Sequence, residues 1–227
     1  MPPRTVCIVC ARDEAARIGA TLDALRAAFS DARILVADDG STDATASIAT
    51  ARGAEVIATG SPVGKGGAAS RAARRVLALA LAEDPPVFVF CDADLGETAR
   101  ALVPLAAAVR AGRADLAVGA LARREGGGFG VAVGAARRVI ARLTGLGLRA
   151  PLSGQRALAG HVLPVVVPFA ARFGMEVGMT VDAARAGFRI LELELPLAHR
   201  PTGRTPEGFL HRGRQLADVI AVVLSRA

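Results

Sequence analysis

The densest chemistry in the sequence is Asp92-Ala93-Asp94, directly after the apolar run 87–91. Carboxylates at i and i+2 just past a strand end can reach one point where the backbone turns. Their oxygens are hard ligands suited to Mg²⁺ or Mn²⁺, ions that commonly bind through one or two carboxylates plus substrate phosphates. The competing reading is a solvated acidic turn ahead of Thr98. A second cluster, Asp38-Asp39-Gly40-Ser41-Thr42-Asp43, ends another apolar run. Adjacent carboxylates repel, so a charged pair needs a cation or hydrogen-bond donors; a nucleotide base or a ribose supplies donors. Gly40 permits a tight turn, and Ser41 or Thr42 is placed to cap the following helix. A third, Gly64-Lys65-Gly66-Gly67, sets the single lysine of the chain between glycines at a helix start. An ammonium beside a helix N-terminus suits a phosphate. It is not a P-loop, because Gly66 stands where GxxxxGK[ST] requires Ser or Thr.

Two further basic segments offer phosphate ligands. One is the Arg- and Gly-rich loop 123–130, opened by Arg123. The other is the tail His199-Arg200, Arg204 and His211-Arg212-Gly213-Arg214. The tail reads as a loop that closes over a diphosphate, with His199 or His211 as a further metal or phosphate ligand. It reads equally as a solvated basic loop, or as a patch that meets anionic lipid.

Elements must bring these clusters together. Apolar runs at 6–10, 34–37, 55–58 and 87–91 alternate with helical patterns at 15–29, 43–52 and 68–82, where 3–4 spacing marks a buried face, as at Ile18, Leu22, Leu25 and Phe29. Near-continuous apolar strands separated by helices imply an α/β fold with a mostly parallel sheet covered on both faces. In such sheets ligands bind beyond the carboxyl ends of the strands, where 12–14, 38–41 and 92–94 fall. The second half predicts helices at 99–111, 131–146, 175–186 and 209–224, strands at 116–119 and 190–195, and a loop at 151–156. His161 opens an apolar helical pattern and reads as structural.

The 227 residues fit one domain, and a 52% apolar composition can build a large core. Trp and Tyr are absent and aromatics make up 4%, so residues for base stacking are nearly missing and nucleic acid is the weakest of the charged partners. The net charge of +7 comes with arginine at every basic position but one; it reflects a GC-rich coding bias in part, and phosphate-bearing ligands in part. Cys7 and Cys10 have CxxC spacing, but on one strand they face opposite sides, so buried thiols in a reducing compartment are expected. No stretch reaches the roughly 18–20 apolar residues that cross a bilayer. A cytoplasmic protein is expected, with a peripheral contact at the inner membrane face left open.

The order of CARDEAARIG, VADDGSTD, GKGGAASRA and FCDADL resembles the family 2 glycosyltransferases with the GT-A fold. Within them it looks most like the dolichyl-phosphate or polyprenyl-phosphate sugar synthases. The tail is similar to the C-terminal loops of glucosyl-3-phosphoglycerate synthases. The resemblance is dense over 4–97 and continues thinly to about 200. It implies that Ala11 and Glu14 edge the nucleotide, that Asp39 reads the base with Asp38 beside it, that Lys65 lies near the nucleotide, and that Asp92 and Asp94 meet the metal and diphosphate. It also implies that Ser153-Gly154-Gln155-Arg156 matches an acceptor segment in which Arg156 holds a phosphate, and that Glu176 lies close to the reaction centre. The chain departs from the pattern at Asp13, where Asn is usual, at Ala150, where an acid is common, and at Gln155, where an aromatic is common.

The expectation is a single glycosyltransferase domain, with residues 1–97 as the nucleotide-sugar half and 98–227 as the acceptor half. It moves a hexose from a UDP- or GDP-linked sugar to an acceptor, most simply one bearing phosphate: a polyprenyl phosphate or a small phosphorylated metabolite. Asp94, Glu176 and Lys65 are the catalytic candidates, with Glu176 as general base if the acceptor is a hydroxyl. Arg123, Ser153, Arg156, Arg204 and Arg212 are the acceptor or phosphate candidates. The rival readings are a nucleotidyltransferase that makes a nucleotide sugar and a non-catalytic nucleotide-sugar-binding module. A homodimer is left open.

Overall fold

The computed structural model describes residues 4–121 and 131–197. The predicted helix 209–224 and the candidates Arg123, His199, Arg204, His211 and Arg212 lie outside the described residues. Strand β1 (Thr5–Ala11) is TVCIVCA, a largely β-branched run. Its odd positions Cys7, Val9 and Ala11 sit in one hydrophobic cluster, while Val6, Ile8 and the partly buried Cys10 pack into another. Burial on both faces is what a central parallel strand requires. It also separates the two thiols of the CxxC spacing, both pushed up to about 12 chiefly by burial.

Around β1 stand β2 (Arg33–Asp38), β3 (Glu55–Ala58), β4 (Val87–Asp92), β5 (Leu116–Leu121), β6 (Arg156–Leu158) and β7 (Ile190–Leu195). The seven-stranded sheet has the order β3-β2-β1-β4-β6-β5-β7. β6 alone runs against its neighbours; every other pairing is parallel.

Helices cover both faces. On one lies α1 (Ile18–Ala28), whose Ile18, Leu22 and Leu25 are fully buried; each such side chain contributes about 2 kcal/mol of burial. Beside it lie α2 (Thr45–Ala51) and α5 (Val103–Arg110), the latter led in by a 3₁₀ stretch, Gly96–Leu102. On the other lie α3 (Lys65–Arg75), the short α4 (Leu77–Ala80) and α7 (Leu163–Val166), and α8 (Met175–Arg185). Buried alanines at 68, 69, 72 and 73 let α3 approach the sheet closely. α6 (Val131–Thr144) packs outside α8 through Ala136 and Ile140 against Val177 and Val181.

Three sequence expectations need correction. α2 begins at Thr45, not 43, and neither Ser41 nor Thr42 caps it; both are engaged elsewhere, as described below. α3 begins at Lys65, three residues earlier than predicted, because Gly64 at φ 87° turns the chain straight into the helix. Residue 156 is not loop but the start of β6, a strand of three residues, too short to show a period of two.

Candidate active site

β1 and β4 are the neighbours between which the sheet changes direction of winding, the crevice where such folds bind ligands. Cys10 pairs with Asp92 across β1 and β4, and Ala11 with Asp38 across β1 and β2. The acidic clusters therefore emerge side by side. Backbone bonds continue the sheet one step: Ala93 N–H donates to Cys10 O at 3.0 Å and Asp39 N–H to Ala11 O at 2.9 Å. The Ala11 side chain is buried in the core, so only its backbone can border a ligand.

At the centre lies a compact charged group. Lys65 Nζ is 2.5 Å from Asp92 Oδ1 and 2.7 Å from Glu176 Oε1. The Glu176 side chain is 4% exposed. Burial by itself would lower the Lys65 pKa, but the charges of Asp92 and Glu176 outweigh it and hold the ammonium well above the ordinary lysine value. On the far side of Asp92, Gln155 Nε2 donates to Oδ2 at 3.0 Å, while Asp92 N–H donates to Gln155 Oε1 at 3.2 Å. The antiparallel register of β4 and β6, Phe90 against Arg156, continues by two residues to set Gly154 level with Asp92. A Cβ at Gly154 would lie 2.5 Å from Lys65 Nζ and 2.8 and 2.9 Å from the Asp92 oxygens. Only glycine lets this segment run so close to the ion pair.

Asp94 stands apart. It is half-buried, and its carboxylate makes no hydrogen bond or ion pair among the described residues. The turn that carries it is fixed from behind by the fully buried Thr21 of α1. Thr21 Oγ1 donates to Ala93 O at 2.7 Å and accepts from Gly96 N–H at 2.8 Å.

The second acidic cluster is bound by protein donors. Asp39 accepts from Val63 N–H at 2.7 Å and from Gly64 N–H at 2.9 Å. Asp38 accepts from the N–H of Ser41 at 3.1 Å and from its hydroxyl. The loop after β1 is stitched to the loop after β2. Asp13 accepts from Thr42 N–H at 2.8 Å, Glu14 N–H donates to Thr45 Oγ1 at 2.8 Å, and Ala15 N–H donates to Asp43 Oδ2 at 3.0 Å. Glu14 also pairs with Arg17 at 3.0 Å. Asp39 thus reaches across to the loop before α3 and places Lys65.

Arg156 overturns its expected part as a phosphate ligand. Its side chain is 0% exposed. Nε donates to Ser153 O at 2.9 Å, Nη1 to Thr180 Oγ1 at 2.9 Å and Nη2 to Pro151 O at 3.1 Å. Desolvation brings its pKa down to about 10 against the opposing pull of Glu176 and Glu192. A guanidinium so enclosed orders the 151–156 segment and presents no face to an acceptor. Ser153, half-buried, accepts Gln155 N–H through its hydroxyl at 3.3 Å. His161, exposed, lies 3.5 Å from Asp115.

The fit to a divalent cation is therefore uneven. Both Asp92 oxygens already accept charged or amide donors, whereas Asp94 offers an unencumbered hard carboxylate. No group of three or more His, Cys, Asp or Glu side chains gathers among the described residues. A cation held by Asp94 would have to draw its remaining ligands from a diphosphate and water, a donor set that suits Mg²⁺ or Mn²⁺ and not a closed zinc site. Thr21 was missed as a site residue, and Gly154 and Gln155 were read only as part of an acceptor segment, not as neighbours of Asp92. Gln155 was visible as a polar residue in an aromatic position; Thr21 left no mark, since its role depends on packing 72 residues away along the chain.

Residues 6–150 match the family model "Glycosyl transferase family 2". The chain belongs to that family and is a glycosyltransferase with the GT-A fold; nucleotidyl transfer and a purely binding role fall away. An undecaprenyl-phosphate mannosyltransferase from Micrococcus luteus is 31% identical over 218 residues, covering 89% of this chain and 86% of that protein. The glucosyl-3-phosphoglycerate synthase of Mycobacterium tuberculosis with Mn²⁺, UDP and phosphoglyceric acid superposes with a TM-score of 0.76. It is 30% identical, over 99% of this chain and 78% of its own. The same enzyme with Mn²⁺, UDP-glucose and phosphoglyceric acid gives 0.74 at 29% identity, over 99% and 80%.

Proposed function

We propose that the chain moves a hexose from a UDP- or GDP-linked sugar to a phosphate-bearing acceptor, with Mg²⁺ or Mn²⁺ held between Asp94 and the donor diphosphate. The observation that carries this reading is the division of charge at the end of β4. Asp92 is neutralised by Lys65 while Asp94, two residues on, remains half-exposed and unpartnered among the described residues. A divalent ion bound there neutralises charge on the departing diphosphate. The rest falls to the protein. Lys65, by neutralising Asp92, keeps that carboxylate from repelling the same leaving group. Glu14 and the backbone of Ala11 border the nucleoside. Asp38 and Asp39 keep lone pairs beyond those given to Ser41, Val63 and Gly64, and these accept donors from base or ribose. Residues 1–97 form the donor half and 98–227 the acceptor half of one domain, consistent with strands β1 to β4 framing the donor crevice.

Glu176 fits an anchor for Lys65 better than a general base, because its oxygen is already on the ammonium and its side chain is shut from water. That favours a phosphate oxygen as nucleophile, already ionised and needing no base, and the mannosyltransferase relative acts on such a lipid. The alternative, a small phosphorylated metabolite, is favoured by likeness to the synthase along 99% of this chain. No helix among the described residues is long and apolar enough to cross a membrane, so a lipid acceptor would be met from the membrane surface.

The experiment is a thermal-shift screen of nucleotide sugars with and without Mn²⁺. A UDP- or GDP-sugar should stabilise wild type only with the metal, and Asp94→Ala should lose that shift; equal shifts in both proteins would refute the assignment. Release of nucleoside diphosphate on adding undecaprenyl phosphate or phosphoglyceric acid then separates the two acceptors.

A further inference from the structure

Left-handed backbone is costly for any residue with a Cβ, and a case without local compensation points to function. Two non-glycine residues among the described ones adopt it, Asp13 at φ 52° and Arg172 at φ 50°, and both border the cleft. Asp13 is accounted for: its short side chain accepts from the N–H and hydroxyl of Thr42, and its own N–H donates to Ser41 Oγ. Arg172 is not. It is exposed, and its guanidinium makes no hydrogen bond or ion pair among the described residues.

What holds Arg172 is packing at the edge of the charged group. It opens the 3₁₀ turn Arg172–Gly174, closed by Gly174 N–H on Ala171 O at 2.9 Å, and this turn delivers Glu176 to Lys65. On its other side is Gly64, the residue that binds Asp39 and precedes Lys65. A Cβ at Gly64 would fall 2.7 Å from Arg172 Cγ and 3.2 Å from its Cα. The aliphatic stem of Arg172 occupies the space that Gly64 leaves, beside the residue that leads into Lys65. The other cations of this group are committed: Lys65 to two carboxylates and Arg156 to the interior.

We propose that Arg172 is a phosphate-binding residue of the cleft, its strained backbone fixing where the guanidinium enters, and that the oxyanion it takes is the phosphate of the acceptor. A guanidinium grips phosphate with two parallel hydrogen bonds. This inference rests on the reading of a phosphate-bearing acceptor and supplies the ligand that Arg156 cannot.

Arg172→Gly tests it cleanly, since glycine keeps the left-handed turn without strain and removes only the side chain. Titration calorimetry on the full chain uses UDP with Mn²⁺ first. Phosphoglyceric acid, or undecaprenyl phosphate in phosphatidylcholine vesicles, then follows on the UDP- and Mn²⁺-saturated protein. The variant should bind whichever acceptor the wild type binds about tenfold more weakly. UDP affinity should stay within about twofold and Tm should be unchanged or raised. Arg172→Lys should fall between. A loss on UDP alone would overturn the acceptor assignment, and unchanged binding of every probe would overturn the phosphate role itself. A wild type that binds UDP but neither acceptor fails earlier, at the functional reading, before any substitution is made.

Discussion

Gly154→Ala is the sharpest test of the charged group, because the clash it creates has a definite address. The added methyl would lie 2.5 Å from Lys65 Nζ and 2.8 Å from Asp92 Oδ2, closer than van der Waals contact permits. Asp92 cannot yield easily: its backbone N–H and Oδ2 are both held by Gln155. Lys65 must move, and the 2.5 Å contact with Asp92 goes with it. Losing one partly buried, charge-assisted hydrogen bond costs about 2 kcal/mol, or roughly 4–8 °C in Tm for a chain of this size. Shifting a catalytic cation by about 1 Å costs up to roughly 100-fold in turnover. Both are read on one protein preparation, by thermal unfolding and by donor turnover with Mn²⁺. The decisive measurement is a double-mutant cycle. In a Lys65→Ala background the same methyl has no ammonium to displace and meets only the Asp92 oxygens, so its cost should be smaller than in wild type. Strict additivity of the two substitutions, or wild-type turnover in Gly154→Ala, would refute the argument.

Two more substitutions probe how the turn and the interior are held. Thr21→Val removes both bonds that pin the Ala93–Gly96 turn; it should cost about 1–2 kcal/mol and weaken Mn²⁺-dependent donor binding, with Thr21→Ser restoring both. Full metal-dependent stabilisation in Thr21→Val would show that Asp94 needs no such support. Arg156→Met leaves the carbonyls of Ser153 and Pro151 without their donor and should destabilise by about 3 kcal/mol or more, with donor and acceptor KM moving together. A rise confined to acceptor KM at unchanged Tm would return Arg156 to the phosphate role that its burial denies.

The sheet and its order of motifs were legible because the central apolar strands β1, β2 and β4 are buried on both faces and each polar cluster breaks the run at its end. Glu55–Ala58 and Ile190–Leu195 fall where the pattern puts them. Legibility stops where a residue's partner is distant along the chain. Arg156 and Lys65 are both cations within two residues of a glycine, and nothing in their neighbours says which one turns inward. The answer lies in β6, whose three residues pair with β4 on one side and β5 on the other and leave the Arg156 side chain enclosed. Ser41 and Thr42 sit at the spacing of a helix cap, yet both are drawn away from it, Ser41 to Asp38 just before it and Thr42 to Asp13 of the neighbouring loop.

On the proposed function, the same logic explains why two aspartates separated by one residue do different work. Two bare carboxylates at the end of β4 would repel each other and a diphosphate alike. The Lys65 ammonium and the Gln155 amide settle Asp92 before any ligand arrives, at the cost of burying Glu176 as a second counter-charge for Lys65. What remains for chemistry is one carboxylate, Asp94, on a turn made stiff by Thr21. A cation captured there is then shared with the substrate rather than satisfied by the protein. A site with an incomplete protein ligand set holds its metal firmly only when the diphosphate is present, so metal binding and donor binding are expected to reinforce each other.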